Sequence, residues 1–365
     1  MARSREYLPA DNLDIPPWSE LIGNPRNKAN LLRYFSDYVC DHSQELIPDG
    51  TTVILGGSFE DKGKAVAVRQ DAQTSLHSIS CEEHEEADTR LIAHLSYCAN
   101  SLGFKRAVVS CTDTDVIMLC MYHFCFLPVD EVWIQKGDTY LPLHSVVMTL
   151  SEMYGKTPRD LVETLLALYV ISGCDTCSSP YNKGKRISAS VALSLFRSIP
   201  NIAHFGLGAD ISVSESVFTE ARTFFTLLYG KNDQFDTMDM LRQHVFASGR
   251  PDLRYLPPTE DAFRLHIKRC LYQLALYQRA RESDLSLPPP TDYGRVIVNE
   301  RLVPLMMTKP AKPPNVKTVA CKCKASKCLR RCSCARANVK CFIGCLCMGR
   351  NDKCGRLMSD LDEDE

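Results

Sequence analysis

The chain has 365 residues, of which 45% are hydrophobic and 24% charged, and its formal net charge is −1. That length can bury a full core and still add a smaller module. The apolar fraction is ordinary for a soluble protein, and the charge balance excludes a polycation. The longest apolar run, Val116 to Val129, is broken by His123 and is too short to span a membrane. The N-terminal residues hold no apolar stretch of the kind a secretory signal needs.

Taken in chain order, Asn27–Cys40 has helical spacing, with Leu31, Leu32, Tyr34, Phe35 and Val39 on the face expected to be buried. Thr52–Leu55 reads as a short strand closed by a turn at Gly56-Gly57, which lacks the lysine of a phosphate loop. His84 stands among Glu82, Glu83, Glu85 and Glu86 and reads as a surface residue. Ala87–Tyr97 is expected to be a helix with Leu91, Ile92 and Leu95 inward. Arg106–Ser110 reads as a buried strand, and a helix starts over Asp115–Tyr122. Glu131–Gln135 and Thr139–Leu143 flank Lys136-Gly137-Asp138, a hairpin signal. Thr157 caps a helix with Pro158 at its first position, running to Ile171. Residues 190–282 read as almost wholly helical.

Strands alternating with helices predict an α/β sheet with helices on its faces, in a main domain over residues 1–282. Prolines at 288, 289, 290, 304, 310, 313 and 314 mark a mostly extended linker over 283–319, with a short strand at Arg295–Val298. A cysteine-rich module over 320–356 and an acidic tail over 357–365 complete the expected organisation.

Carboxylates recur at the ends of the apolar elements. Glu86 and Asp88 open a helix, Asp113 and Asp115 follow a strand, and Asp175 follows the helix ending at Ile171. In open α/β folds the strand ends are where ligands bind. Carboxylates gathered there repel one another, and a hard divalent cation with oxygen ligands relieves the repulsion. Two such ions about 3.5–4 Å apart can clamp the attacking and leaving oxygens of a phosphodiester. Each acid also has a local role open to it, as a helix N-terminal charge, an N-cap or an Asx turn. Cys174 and Cys177 form a C-x-x-C pair that reads as packing rather than redox chemistry.

Three runs, Glu86-Ala87-Asp88-Thr89-Arg90, Ser110-Cys111-Thr112-Asp113-Thr114-Asp115-Val116 and Ser172-Gly173-Cys174-Asp175-Thr176, resemble the core of flap-endonuclease-type nucleases of the PIN-like superfamily. The resemblance implies a PIN-like, flap-endonuclease-like sheet flanked by helices, with a helical extension. It implies a structure-specific endonuclease on DNA, with Glu86, Asp88, Asp113, Asp115 and Asp175 holding catalytic Mg²⁺ or Mn²⁺. The family continues into a helix–turn–helix that grips duplex backbone. Tyr181-Asn182-Lys183-Gly184-Lys185-Arg186 occupies that place here, making Lys183, Lys185 and Arg186 candidate DNA contacts, with an ordinary basic loop as the other reading. The family's further aspartate pair, upstream of the helix at Asn27, has no good counterpart, since Asp11 and Asp14 sit in a proline-flanked stretch. The expectation is a body truncated upstream, or one that has kept binding and lost catalysis.

Half of the chain's 18 cysteines fall in the C-terminal module: Cys321, Cys323, Cys328, Cys332, Cys334, Cys341, Cys345, Cys347 and Cys354. An odd number of thiols and no sign of an oxidising compartment argue against disulfides. Zinc fits better, because thiolates are soft, tetrahedral ligands. Three zinc ions need twelve ligand positions, which nine cysteines supply when three of them bridge two metals. The C-x-C pairs Cys321/Cys323, Cys332/Cys334 and Cys345/Cys347 suit neighbouring metals. Ten lysines and arginines lie between Ala320 and Arg356, with Asp352 the only acid, and the module stays cationic after the thiolates are counted. That footprint suits phosphate backbones, with Lys327, Arg330, Arg331, Arg336 and Lys340 as candidate contacts; offsetting the anionic cluster is the alternative role.

The run from Cys321 to Cys347, continuing to Cys354, resembles the tesmin-type cysteine-rich (CXC) domain. Members bind three zinc ions through nine cysteines, and several bind DNA. Arg331 stands where many carry a tyrosine used in minor-groove reading, and the last cysteine is spaced farther away. The motif order, with Leu256–Asp261 and the CXC tail, is also similar to mobile-element-derived proteins of fish and invertebrates, over about Trp18 to Cys354. These resemblances imply a nuclear DNA-binding protein with three structural Zn²⁺ and a nuclease-like body, with no membrane and no small-molecule cofactor. The alternative is a catalytically silent DNA or chromatin binder acting through the CXC domain.

Overall fold

The computed structural model describes residues 5–10, 14–196, 198–199, 202, 205, 214–232, 234–247, 253–310, 319, 321–323, 332–337, 341, 345–347, 349–350 and 354. They fall into two compact units, Met1–Leu143 with Arg279–Ser286, and His144–Gln278 with Leu287–Glu365. Both mix helices with small sheets, as the alternating pattern predicts.

The first unit opens with helices α1 (Trp18–Ile22), α2 (Pro25–Asp41) and α3 (Ser43–Leu46). Asn24 caps α2 by accepting a hydrogen bond from Arg26 N, with Pro25 just inside. The face expected to be buried is so only in part: Leu31, Tyr34 and Val39 are half-buried, with Val39 against the Ile47, Phe59, Val66 and Val68 cluster, but Leu32 and Phe35 are 55% and 53% exposed, and the buried residues of α2 are Asn27 and Ser36. The reason is polar. Asn27 Oδ1 accepts from Tyr7 N at 2.8 Å, its Nδ2 donates to Arg5 O at 3.1 Å, and Ser36 Oγ lies 2.6 Å from Ser58 Oγ. The N-terminal segment and the loop after the first strand cover the polar side of the helix.

Strands β1 (Val53–Gly56), β2 (Ala65–Val68) and β3 (Gln73–Ser75) form an antiparallel meander. Only the first is visible in the sequence pattern. After a 3₁₀ turn at His77–Ile79 come α4 (Ala87–Asn100), β4 (Arg106–Ser110), α5 (Thr114–Phe124), β5 (Glu131–Lys136) and β6 (Thr139–Pro142). β4 and β5 pair in parallel through the crossover helix α5, and β6 closes a hairpin on β5 through Gly137-Asp138. β4 is an edge strand, so its expected burial is incomplete: Val109 is buried, whereas Val108 is 58% exposed. His84 corrects another expectation. It is buried, and its Nε2 lies 2.7 Å from the carbonyl of Glu282. Burial lowers its pKa, which favours the neutral ring. Glu83 accepts from Leu285 N at 2.8 Å, so the same turn holds the returning segment twice.

The second unit is mainly helical: α6 (Leu143–Tyr154, beginning on the last residue of the first unit), α7 (Pro158–Ile171), α8 (Lys185–Leu195), α9 (Glu215–Leu228), α10 (Met238–Ala247) and α11 (Glu260–Gln278). Thr157 caps α7 as its sequence predicts, accepting from Asp160 N at 3.1 Å. The proline-rich stretch is more ordered than an extended linker. Arg295–Val298 (β7) is a strand, and it pairs with Arg301–Pro304 (β8) across Asn299-Glu300. Both turn residues have positive φ, 48° and 61°, the signature of a type I′ turn. Arg269 on α11, 3% exposed, anchors this hairpin by donating from Nη1 to the carbonyls of Gly294 at 3.1 Å and Leu305 at 2.8 Å. Gly294 is required there: its φ is +73°, and a Cβ would stand 2.8 Å from Leu265 O. Just beyond, Asp261 accepts from Thr308 N, Thr308 Oγ1 and Lys309 N.

Arg269→Met strips the donor from two carbonyls and is expected to cost about 1–3 kcal/mol, read as a lower denaturant midpoint at unchanged slope. The hydrogen bonds from Thr308 and Lys309 hold the Asp261 carboxyl below its ordinary value of 3.8. A depressed carboxylate contributes stability that is present above 3.8 and lost as pH falls through the lower folded value. The Thr308 and Lys309 amide NMR signals are therefore expected to titrate below pH 3.8; a midpoint at or above it excludes the clamp.

Candidate metal centre and acidic cluster

In the C-terminal module, α12 (Ser333–Arg336) begins directly after Cys332. Its first turn sets Cys334 inward, with Cys334 Sγ donating to Val319 O at 3.3 Å. Cys321 is fixed from the other side, its carbonyl accepting from Leu346 N at 3.0 Å. Arg350 N and Cys354 N donate to Cys347 O and Arg350 O, a short ladder that brings Cys354 back.

The described cysteines sort into three groups whose ligand atoms all lie within 4.8 Å of one another: Cys321, Cys334, Cys341 and Cys345; Cys321, Cys323 and Cys332; and Cys341, Cys347 and Cys354. Cys321 and Cys341 each belong to two groups, and their sulfurs are 3.8 Å apart. Cys334 and Cys345 are 3.5 Å apart. Those separations exceed a disulfide bond of about 2.05 Å, and every described cysteine is a free thiol. Tetrahedral zinc with arms of about 2.3 Å sets its sulfurs about 3.8 Å apart, so the donor set and spacing fit Zn²⁺. Burial, followed by the neighbouring thiols, raises Cys334 to about 12 and Cys347 to about 11. Cys328, Lys327, Arg330, Arg331 and Lys340 lie outside the described residues. Arg336 ends α12 and is exposed.

Four of the five acids belong to the first unit. Glu86 is the N-cap residue of α4, and Asp88 lies in its first turn. Asp113 caps α5, its Oδ1 accepting from Asp115 N at 2.9 Å. Cys111, at the carboxyl end of β4, links the two places. After burial, the Lys136 ammonium lowers its pKa and the Asp113 and Asp88 carboxylates raise it. The Asp88 and Asp113 carboxylates thus both lie within electrostatic range of the Cys111 thiol. Among the described residues, however, the groups of three or more ligand atoms within 4.8 Å consist of cysteines alone. These acids do not form a closed ligand set for Mg²⁺ or Mn²⁺.

Asp175 belongs to the second unit. It is exposed on a tight turn that Cys174 and Cys177 close with reciprocal backbone hydrogen bonds of 3.2 and 3.0 Å. Gly173, at φ +103°, admits no side chain, because a Cβ would lie 2.5 Å from Ser179 Cβ. The basic loop after it is only partly available to a partner. Lys185 turns inward: its Nζ donates to Tyr169 O at 2.7 Å, to Ser172 Oγ at 3.1 Å and to Gly173 O, and stands 3.3 Å from the Tyr169 ring centroid. It is a cation capping the carboxyl end of α7, where the helix dipole is negative. Lys183 lies 5.2 Å from the Tyr229 ring centroid, and Arg186 is exposed in the first turn of α8. Reasoning from the sequence missed the partners of the C-x-x-C pair, Cys270 and His266, whose i,i+4 spacing on α11 was the available signal. The chain matches no protein-family model, no curated protein and no solved structure. No helix among the described residues is long and apolar enough to cross a membrane.

Because Cys321 serves two groups and Cys345 one, Cys321→Ser is expected to lower the zinc content of the purified chain further than Cys345→Ser does, by elemental analysis. Equal losses would contradict the shared-ligand geometry.

Proposed function

We propose that this is a DNA-binding protein whose C-terminal module is a trinuclear zinc–thiolate cluster of the CXC kind. The observation that carries the reading is the sharing of Cys321 and Cys341 among three cysteine groups. Among the described residues those groups fill ten of twelve tetrahedral positions, leaving one position open in each three-cysteine group. Cys328, the remaining cysteine of the module, supplies both if it bridges them, giving every zinc two bridging and two terminal sulfurs. Bound zinc supplies structure here and no chemistry on a substrate. The lysines and arginines interleaved with the cysteines carry the module's attraction to phosphate. This reading implies a nuclear protein with a DNA partner.

For the body, we propose a PIN-like, nuclease-like arrangement of the mobile-element-derived kind. It is supported by the parallel β4–α5–β5 unit and by the effect of Asp88 and Asp113 on one thiol at the end of β4. A second reading, in which the body is catalytically silent and the protein binds DNA or chromatin through its tail, is favoured by the lack of a closed carboxylate set.

Binding of duplex DNA by the zinc-loaded chain is expected to weaken steeply as salt rises from about 50 to 200 mM, and to be lost when zinc is chelated. Affinity unchanged after chelation would exclude the module as the DNA contact. Branched DNA with Mn²⁺ separates the two readings of the body: cleavage abolished by Asp88→Asn with Asp113→Asn identifies the nuclease, and no cleavage by the zinc-loaded wild type identifies the silent binder.

A further inference from the structure

Four soft or borderline ligands lie outside the C-terminal module and have no part in the function just proposed. Cys174 and Cys177 form a C-x₂-C pair, and His266 and Cys270 form an H-x₃-C pair on α11. The two pairs are far apart in sequence. Both belong to the second unit, and the fold brings them side by side.

The first pair is shaped by its turn. Reciprocal backbone hydrogen bonds make Cys174 and Cys177 an antiparallel bridge around Asp175-Thr176, so the two side chains leave the same face of a two-residue hairpin. The second pair is shaped by helix periodicity, which stacks positions i and i+4. The Cys174 thiol is within electrostatic range of the Cys177 thiol, and the Cys177 thiol of the Cys270 thiol. Cys270 Sγ lies 3.3 Å from His266 Nε2 and 3.8 Å from its Nδ1. Cys177, Cys270 and His266 are buried, and Cys174 is half-buried.

His266 is already oriented for such a role. Its Nε2 lies 2.9 Å from the carbonyl of Ile171, which fixes the proton on Nε2 and leaves Nδ1 as the lone-pair nitrogen. Metal-bound imidazoles almost always donate their other N–H to a carbonyl or carboxylate in this way. Ser178 Oγ, 3.1 Å away, now satisfies Nδ1. The ring is buried and its pKa is depressed to about 4 by desolvation, so it is neutral, the ligating form.

We propose that Cys174, Cys177, Cys270 and His266 Nδ1 form a further structural site for a soft divalent metal, Zn²⁺ in the first instance, separate from the C-terminal cluster. As they stand, the ligand atoms run in a chain from Cys174 through Cys177 and Cys270 to His266, and no three of them fall within 4.8 Å of one another. Binding therefore requires the chain to close into a tetrahedron, with Ser178 released from Nδ1 and three thiol protons displaced to solvent. Zinc with three thiolates and one neutral imidazole then carries a net charge of −1, and Arg269, next to Cys270 and within electrostatic reach of Cys177, supplies a compensating cation. The turn carrying Asp175 and the helix α11 would be joined by the metal as well as by the Thr176–Gln273 hydrogen bond of 2.6 Å.

The test uses the full chain. Elemental analysis of wild type and Cys177→Ser is expected to show a loss of about one zinc per chain in the variant. The zinc of the C-terminal module cancels in that difference, so the outcome is independent of the tail's own stoichiometry. A second measurement needs no variant. Peptide-resolved alkylation of the wild type is expected to leave Cys174 and Cys177 protected until a chelator is added. Equal zinc content in wild type and variant, alkylation of both residues at the same rate with and without chelator, or a Cys174–Cys177 disulfide in the purified chain would each overturn the site.

Discussion

Crowded thiolates are disfavoured in a protein interior until a soft cation joins them. Among the described residues of the C-terminal module the buried side chains that pack together are cysteines, with Val319, Cys323 and Ala335 against them. Folding so short a segment carries an ordering cost of about 1–2 kcal/mol per residue. A segment of that size needs a staple. Burial and mutual crowding hold Cys334 and Cys347 far above an ordinary thiol, so it is the thiolate form that opposes compaction. On the zinc reading the sign reverses. Each thiolate becomes a ligand, and a structural zinc contributes about 10–16 kcal/mol of apparent binding energy at neutral pH. Folding of the tail and its metal loading are then one equilibrium, and whatever DNA contact the tail makes is conditional on both.

Oxygen is treated differently in the body. The four acids of the first unit sit where backbone geometry favours a negative charge: the first turn of α4 and the N-cap of α5. Asp113 spends one oxygen on the Asp115 amide. Local roles of this kind compete directly with metal binding, since a carboxylate that caps a helix has fewer lone pairs to give. Asp88 and Asp113 both act electrostatically on the thiol at the end of β4 without forming a set of three ligands, whereas the described cysteines of the tail gather in threes and fours. The contrast is chemical: a carboxylate finds partners in any helix terminus, while a thiol is a weak partner for everything except another sulfur or a soft metal.

What the sequence made legible divides along the same line. Pattern and punctuation sufficed where local forces decide. Thr157-Pro158 placed the start of α7, Lys136-Gly137-Asp138 placed a hairpin, and the C-x-C spacing placed sulfurs on neighbouring groups. Failures came where a distant partner decides. Leu32 and Phe35 have the right spacing for a core face, yet Asn27 and Ser36 take the buried positions because Tyr7, Arg5 and Ser58 offer them hydrogen bonds. Arg106–Ser110 has the composition of a central strand and lies at an edge. Lys185 looks like a surface cation and caps the helix before it. His84 sits among glutamates in sequence and under a returning segment in space. In each case the missing information is a contact made across twelve or more residues, or with the neighbouring helix end, and no local period encodes it.

The helix α11 shows how such contacts accumulate. It is buried on most of its faces, by Phe263, Ile267, Leu271 and Leu274 but also by His266, Arg269 and Gln273. A helix buried all round loses the two-sided pattern that identifies it in sequence, and every polar group it buries must find a partner. Those partners are what organise the second unit. Asp261 holds Thr308 and Lys309, Arg269 holds both ends of the β7–β8 hairpin, Gln273 holds Thr176, and His266 holds Ile171 and Ser178. A proline-rich stretch that reads as free chain is thereby tied down as far as Lys309. The ties come from the polar minority of one helix. Removing the ties of Arg269 or His266 leaves a buried polar group unpaired, which costs more than the hydrogen bond itself contributes, and this asymmetry is why so few residues can fix so much of the chain.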